Sequence, residues 1–243
     1  MTLVRTAHER GITTLTLDSP HNRNALSARL VGELREGMEK AGDDPGVRAV
    51  VLAHTGNTFC AGADLTEPTP TGPLELAGLM RSIVALGKPV VADVRGHVRA
   101  GGLGLVGACD IAVAGESSSF AFTESLLGLA PAVISIPLLP RLDARAAGRY
   151  FLTGERFGAR EAARIGLVTD VGDDGLGPVL AGLRRASPQG LAESKRLVTA
   201  EVLRAFDRET DVLARRSARL FASAEAREGM AAFLEKRDPA WVL

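Results

Sequence analysis

The stretch Val94 to Asp110, V-R-G-H-V-R-A-G-G-L-G-L-V-G-A-C-D, holds five glycines in 17 residues, directly after the apolar run Pro89–Val94. Glycine costs backbone entropy inside any element, so such a cluster marks a place where the backbone turns tightly or is closely approached. Two chemistries fit. Gly102-Leu-Gly104-Leu-Val-Gly107 matches the dinucleotide fingerprint G-x-G-x-x-G, which sets a pyrophosphate on a helix N-terminus. Alternatively, Ala100-Gly101-Gly102 opens a short helix whose bare amides hold an electron-rich oxygen, such as that of a thioester. A second small-residue stretch, Thr58-Phe-Cys-Ala-Gly-Ala-Asp-Leu65, directly follows the apolar run Val47–Ala53. Two such turns at the ends of adjacent strands each offer a backbone N–H to one oxygen.

Other chemistry is scarce. Cys60 and Cys109 are the only cysteines, each among small apolar residues, and are expected to be buried free thiols rather than a disulfide or metal pair. The four histidines show no short paired spacing, so no metal site is expected. Lys plus Arg equals Asp plus Glu at 29 each, which gives no field favouring nucleic acid or an anionic membrane. Aromatic residues at 4% make a poor stacking platform for bases. There is no apolar run of about 20 residues to span a membrane and no basic, apolar signal at the start, so a cytoplasmic protein is expected.

The elements that must hold these turns follow from periodicity. Thr13–Asp18 alternates as a half-buried strand, and S-P-H-N-R-N at 19–24 is a loop. A helix begins after the Ser27 cap, with Leu30, Leu34 and Met38 on one face, and stops at Gly42-Asp-Asp-Pro45. Val47–Ala53 and Pro89–Val94 are apolar enough for strands covered on both faces, with a helix over Leu74–Leu86 between them and a short strand over Asp110–Ala114. Strand–helix alternation predicts an α/β layer with right-handed crossovers. After Ile134, helices are expected at Ala144–Leu152, Ala159–Ile165, Pro188–Phe206, Asp211–Phe221 and Ala224–Lys236, with one strand at Leu167–Val171. An α/β core over 1–185 and a helical region over 186–243 result. Apolar faces on both sides of those last helices predict an oligomer.

The dinucleotide reading fails on spacing. The strand before the glycines ends near Val94, eight residues ahead of Gly102, and 101–108 is too short for a crossover helix. The acidic residue needed about 20 residues on could only be Glu124, which follows no suitable strand end.

Together, F-C-A-G-A-D-L and G-H-V-R-A-G-G-L-G-L resemble the enoyl-CoA hydratase/isomerase family, the crotonase superfamily. The likeness begins at His21-Asn-Arg-Asn-Ala-Leu26 and continues through Lys88-Pro-Val, Cys109-Asp110 and Phe120-Ala-Phe-Thr-Glu-Ser-Leu-Leu-Gly128. It then takes in Leu152-Thr-Gly-Glu-Arg-Phe, Ala162-Ala-Arg-Ile-Gly-Leu-Val168 and Glu228-Gly-Met-Ala-Ala-Phe-Leu-Glu-Lys236. The resemblance implies a spiral of ββα turns with a C-terminal helical trimerisation region, assembled as homotrimers or homohexamers. It implies an acyl-coenzyme A thioester as substrate, the coenzyme being part of the substrate and no separate cofactor being used. By motif match, the N–H groups of Ala61 and Gly101 form the oxyanion hole, and Gly102 allows close approach. The resemblance also places Ala61, Ala63, Asp64 and Leu65, with Ala25, beside the nucleotide, Asp64 being alternatively a helix cap. Arg23 and Lys88 either meet coenzyme A phosphates or are solvated surface cations. Phe233 and Lys236 match the residues that in the family close over the adenine, Phe233 being alternatively a core residue of an amphipathic helix.

Hydratases of this family use two glutamates. The second matches Glu124, whose neighbours Phe122 and Leu126–Leu127 would desolvate it and raise its pKa. The first falls where this chain has Gly104, so Glu124 is expected to act alone. Gly101-Gly-Leu-Gly-Leu-Val, with Leu129-Ala-Pro-Ala-Val-Ile-Ser135 and Arg149-Tyr-Phe-Leu-Thr-Gly154, most resembles bacterial methylglutaconyl-CoA hydratases and related branched-chain hydratases. That branch tends to carry glycine at the Gly104 position, so the resemblance keeps hydration open. Arg99 is unusual, since the family normally has an apolar residue before the oxyanion glycines. It either binds a distal carboxylate of the substrate or pairs on the surface. The expected activity is water addition to a branched or carboxylated 2-enoyl-CoA. Double-bond isomerisation and non-catalytic acyl-CoA binding are the alternatives. The acyl chain is expected to be lined from segments such as Leu76–Ile83 and Ala132–Leu139.

Overall fold

Each turn of the chain lays one strand into a large sheet, a short strand into a smaller one, and then a helix. The computed structural model describes residues 2–66 and 72–243. β3 (Ala49–His54) is followed within four residues by β4 (Thr58–Cys60), then by α2 (Pro73–Ala85). β5 (Val90–Val94) leads to β6 (His97–Arg99) and α3 (Gly101–Ala108), and β7 (Ile111–Ala114) leads to β8 (Ser119–Ala121). With β1 (Val4–Glu9), β2 (Ile12–Leu17) and β10 (Asp170–Val171), the large sheet has the order β1-β2-β3-β5-β7-β10, parallel except at β1. The small sheet runs β4-β6-β8 in parallel and closes with antiparallel β9 (Phe157–Gly158). This is the α/β crotonase-type ββα arrangement expected from the chain.

Local signals hold at most of the expected boundaries. Ser27 Oγ accepts from Leu30 N at 3.1 Å and starts α1 (Ala28–Asp43), whose Leu30, Leu34 and Met38 are buried. Ser187 caps α8 (Pro188–Phe221) with proline in its first turn. Two expected helices prove to be this one 34-residue helix. The polar run Asp207-Arg-Glu-Thr210 contains no glycine or proline, and it is simply the turn where the helix faces water. Leu167–Val171 forms strand only at its last two residues. β1 lies outside the expected elements: Arg10 (φ 50°) and Gly11 (φ 78°) make the tight left-handed turn that pairs β1 with β2. The three-residue strands β4, β6 and β8 are too short to show a period, and α7 (Leu176–Arg185) is a helix beyond those expected.

Every residue of α3 is buried, so this helix is apolar all round and forms the centre of the core with α2, α4 (Ser135–Leu138) and the inner strand faces. α8 lies along α2 and α4. Lys195 from α8 reaches the core, where its Nζ meets Asp110 Oδ2 at 2.8 Å and donates to Ile83 O at 2.8 Å and Lys88 O at 3.0 Å. Cys60 and Cys109 are buried free thiols, pushed up to about 12 by burial. Among the described residues, no helix is long and apolar enough to cross a membrane.

Candidate active site

Because β4, β6 and β8 are parallel, their C-terminal ends emerge on one side of the small sheet. Cys60 pairs with Val98, and Arg99 with Ala121. Residues just beyond those ends, Ala61 and Ala63–Leu65, Ala100–Gly101 and Thr123–Glu124, therefore line one cavity of about 610 Å³. Leu76 from α2, Ala132–Ile134, and Ser217, Phe221, Phe233 and Leu234 from the C-terminal helices complete the wall. Of the segments expected to line the acyl chain, Leu76 and Ala132–Ile134 do so, while Ile83 is packed in the core.

The first turn is tied down by Asn24, which is fully buried in the loop before α1. Its Oδ1 accepts from Ser19 N at 2.7 Å, and its Nδ2 donates to Thr55 O at 3.1 Å and Thr58 O at 2.7 Å. That fixes the carbonyl of Arg23, which accepts from Ala61 N at 3.1 Å. The N–H expected from Ala61 is thus already engaged within the protein. Next along, Leu26 N donates to Gly62 O at 2.7 Å and Asp64 N to Leu26 O at 3.4 Å, a parallel bridge that leaves the Ala63 N–H pointing away from Leu26. Ala63 N and Gly101 N have no acceptor among the described residues, and both residues line the cavity.

The two turns touch. Gly62 has φ +91°, and a Cβ placed on it would stand 2.9 Å from Ala100 Cβ and 3.4 Å from Gly101 N. Only glycine combines that dihedral with that approach. Ala100, at φ 44° and ψ −120°, is itself held in a region that L-residues rarely enter. It turns the chain so that Gly101 N begins α3, with the positive end of the helix behind it.

Glu124 follows β8 in a short 3-10 turn, beyond the buried ring of Phe122, which packs at 4.5 Å on Phe151. Its carboxyl is buried, and Oε2 has no hydrogen-bond partner among the described residues. Burial raises its pKa to about 7. The other carboxyl on the cavity, Asp64, is occupied: Oδ2 accepts from Asn22 Nδ2 at 3.1 Å, and Oδ1 from Thr66 N at 3.0 Å and Thr66 Oγ at 2.6 Å. Burial pushes Asp64 up, but these hydrogen bonds outweigh it and hold the group below its ordinary value.

Gly104 is more than a missing glutamate. A Cβ there would lie 2.6 Å from Met80 Sδ and 2.8 Å from Ile134 Cγ2, so core side chains fill the space a carboxylate needs. Gly102 is likewise a packing glycine, since a Cβ would meet Cys60 Cβ and O at 2.8 Å.

The remaining expected residues divide. Arg23, Ala25, Ala61, Ala63, Asp64, Leu65 and Phe233 line the cavity. Lys88 does not: its Nζ donates to Ala41 O at 2.7 Å and to Asp44 O, closing the C-terminal end of α1. Lys236 ends α9 (Ala224–Glu235) in a left-handed conformation (φ 56°), beside the cavity wall but not in it. Arg99 is half-buried and lines the cavity, so it is not a surface pair. Arg156, just before β9, joins it there, unforeseen because no local pattern marks an exposed arginine as a wall residue.

The profile for the family described as Enoyl-CoA hydratase/isomerase matches residues 7–242. A crystal structure of an enoyl-CoA hydratase from Mycobacterium avium aligns with a TM-score of 0.92 at 55% identity, covering 100% of both chains. That of carnitinyl-CoA hydratase from the same species gives 0.87 at 30% identity, over 99% of this chain and 98% of that one. The 1,2-epoxyphenylacetyl-CoA isomerase of Escherichia coli is 33% identical over 249 residues, 95% of each protein. Hydratases and an isomerase share the likeness, so the fold alone does not select the reaction. Matched over nearly its whole length, the chain belongs to the enoyl-CoA hydratase/isomerase (crotonase) family of enzymes.

Proposed function

We propose that the chain hydrates a branched or carboxylated 2-enoyl-CoA, of the kind methylglutaconyl-CoA represents, with Glu124 as its only acid–base group. The observation that carries this is the Glu124 carboxyl, buried on the cavity with an unpartnered oxygen and a pKa of about 7. The thioester oxygen accepts from the N–H groups of Ala63 and Gly101. This assigns to Ala63 the role expected of Ala61, whose N–H serves Arg23. The Glu124 carboxylate takes a proton from water as the water oxygen bonds to C3. The C2=C3 electron pair moves toward the thioester, and negative charge collects on its oxygen as an enolate. The Glu124 carboxylic acid then returns the proton to C2, which leaves the carboxylate ready for another turnover. Two fixed donors backed by a helix N-terminus stabilise the enolate, and losing one such donor typically costs roughly 3–4 kcal/mol of barrier.

Isomerisation is the second reading, favoured by Gly104, because moving a double bond requires one group that removes and returns a proton. Products formed in heavy water from crotonyl-, glutaconyl- and methylglutaconyl-CoA separate the two. Hydration gives a 3-hydroxyacyl-CoA, isomerisation shifts the double bond with label uptake and no added water, and a binding protein does neither. Glu124→Gln is expected to lose about 10²- to 10⁴-fold in kcat. Unchanged turnover in that variant removes the role given to Glu124.

A further inference from the structure

Arg99 and Arg156 both line the cavity, and neither has a carboxylate partner among the described residues. Glu155, beside Arg156 in sequence, is taken by Arg149. The two guanidinium groups are close enough that Arg156, together with the larger effect of burial, lowers the pKa of Arg99. Two neighbouring cations, one half-buried and one exposed, repel each other, and no carboxylate among the described residues pairs with either.

The hydrogen bonds of Arg99 show how its guanidinium is presented. Nη1 donates to Val98 O at 2.8 Å and Ser119 O at 2.7 Å, and Nη2 donates to Ser119 Oγ at 2.9 Å. Ser119 Oγ also lies within hydrogen-bond distance of His97 Nδ1, at 2.9 Å. These bonds occupy both hydrogens of Nη1 and one of Nη2, five donors being available in all. Among the described residues, Nε–H and the second Nη2–H have no acceptor, two donors that can hold a carboxylate. Arg99 is thus locked by β8 with one recognition edge unused.

We propose that Arg99, assisted by Arg156, is a specificity site for a carboxylate at the far end of the substrate's acyl chain, so that the preferred substrate is a dicarboxylic 2-enoyl-CoA. This rests on the reading of the cavity as an acyl-CoA site. The position favours the acyl end over a coenzyme phosphate. Arg99 lies two residues before Gly101 and pairs across the sheet with Ala121, three residues before Glu124, and so sits with the groups assigned to the reacting carbons.

Calorimetric titration of the wild-type enzyme with glutaryl-CoA, butyryl-CoA and free coenzyme A tests this without turnover, since neither acyl chain has a double bond. Glutaryl-CoA is expected to bind about 10- to 100-fold more tightly than butyryl-CoA, the range of a charge-assisted fork. Arg99→Met is expected to bring that ratio close to one. Arg156→Met, at an exposed position where folding is not at stake, is expected to reduce it. Equal affinities in the wild type, or a ratio that survives both substitutions, overturns the carboxylate site alone. Free coenzyme A weakened as much as glutaryl-CoA by Arg99→Met also overturns it, because the cation then serves a phosphate. If none of the three ligands binds, the acyl-CoA reading fails and this inference with it.

Discussion

A single carboxyl that must both take and give a proton works best when its pKa is near the operating pH, and burial places Glu124 at about 7. Water addition, its reversal and isomerisation all begin with this group as a base. The expectation is therefore that kcat/KM falls as pH drops below about 7; a fall on the alkaline side instead would mean that the reaction starts from the acid. Stability carries the same signature. The folded-state pKa lies above the ordinary 4.5, so the contribution is fully present below about 4.5 and is lost as pH rises through about 7. At pH 8 this amounts to something on the order of 3 kcal/mol. Glu124→Gln should be the more stable protein at pH 8 and match the wild type near pH 4, as read from denaturant midpoints. The backbone donors need a different probe. In protein ¹⁵N-labelled at alanine and glycine, binding of the acetoacetyl-CoA enolate should shift the amide signals of Ala63 and Gly101 far more than that of Ala61. A dominant shift at Ala61 would return the oxyanion role to it.

At the scale of elements, the site is made by where short parallel strands stop. β4, β6 and β8 deliver the Ala63 turn, the Gly101 turn and Glu124 to the same edge, and Gly62 lets the first two turns meet. α3 can stand behind them because its glycines allow Cys60, Met80, Ile134 and Leu138 to close directly on its backbone. Gly104→Ala should therefore destabilise the fold by about 1–3 kcal/mol through overpacking, with the circular-dichroism melting temperature lowered accordingly. A neutral result would show that Met80 moves aside and that the space was never tight.

For the whole molecule, the C-terminal helices do two jobs. They supply Ser217, Phe221, Phe233 and Leu234 to the cavity of their own chain, and through Lys195 they are fastened to Asp110 in the core. Removing the cation leaves a buried carboxylate whose Oδ2 keeps the Val90 N–H at 2.7 Å and whose Oδ1 has no partner among the described residues, so Lys195→Met should cost about 3–5 kcal/mol. Chemical denaturation that shows less than 1 kcal/mol would mean that water reaches the pair. Leu152, Leu197 and Val198 remain exposed on the single chain, at 79%, 80% and 73%. Such side chains fit burial between copies, and light scattering should give a trimer or hexamer; a monomer would remove that expectation.

Long amphipathic and apolar periods were legible without coordinates: α1, α2, β2, β3 and β5 bury the residues their patterns assign inward. So were the Ser27 and Ser187 caps, the two small-residue turns and Glu124, because in each of these the side chain or its absence is the signal. Three things were decided only in the folded chain. Which amide at Ala61–Ala63 is available depends on Asn24 and the Arg23 carbonyl, a contact about 40 residues away in sequence that leaves no mark on either alanine. Whether Lys88 or Arg99 meets the cavity depends on which end of which helix or strand each is tied to. Long charged side chains take the nearest acceptor, and that is a property of packing. The vacancy at Gly104 was visible as a letter. That Met80 and Ile134 fill it, leaving Glu124 as the cavity's one uncommitted carboxyl among the described residues, followed only from the close approach of α2 and the 131–138 segment to α3.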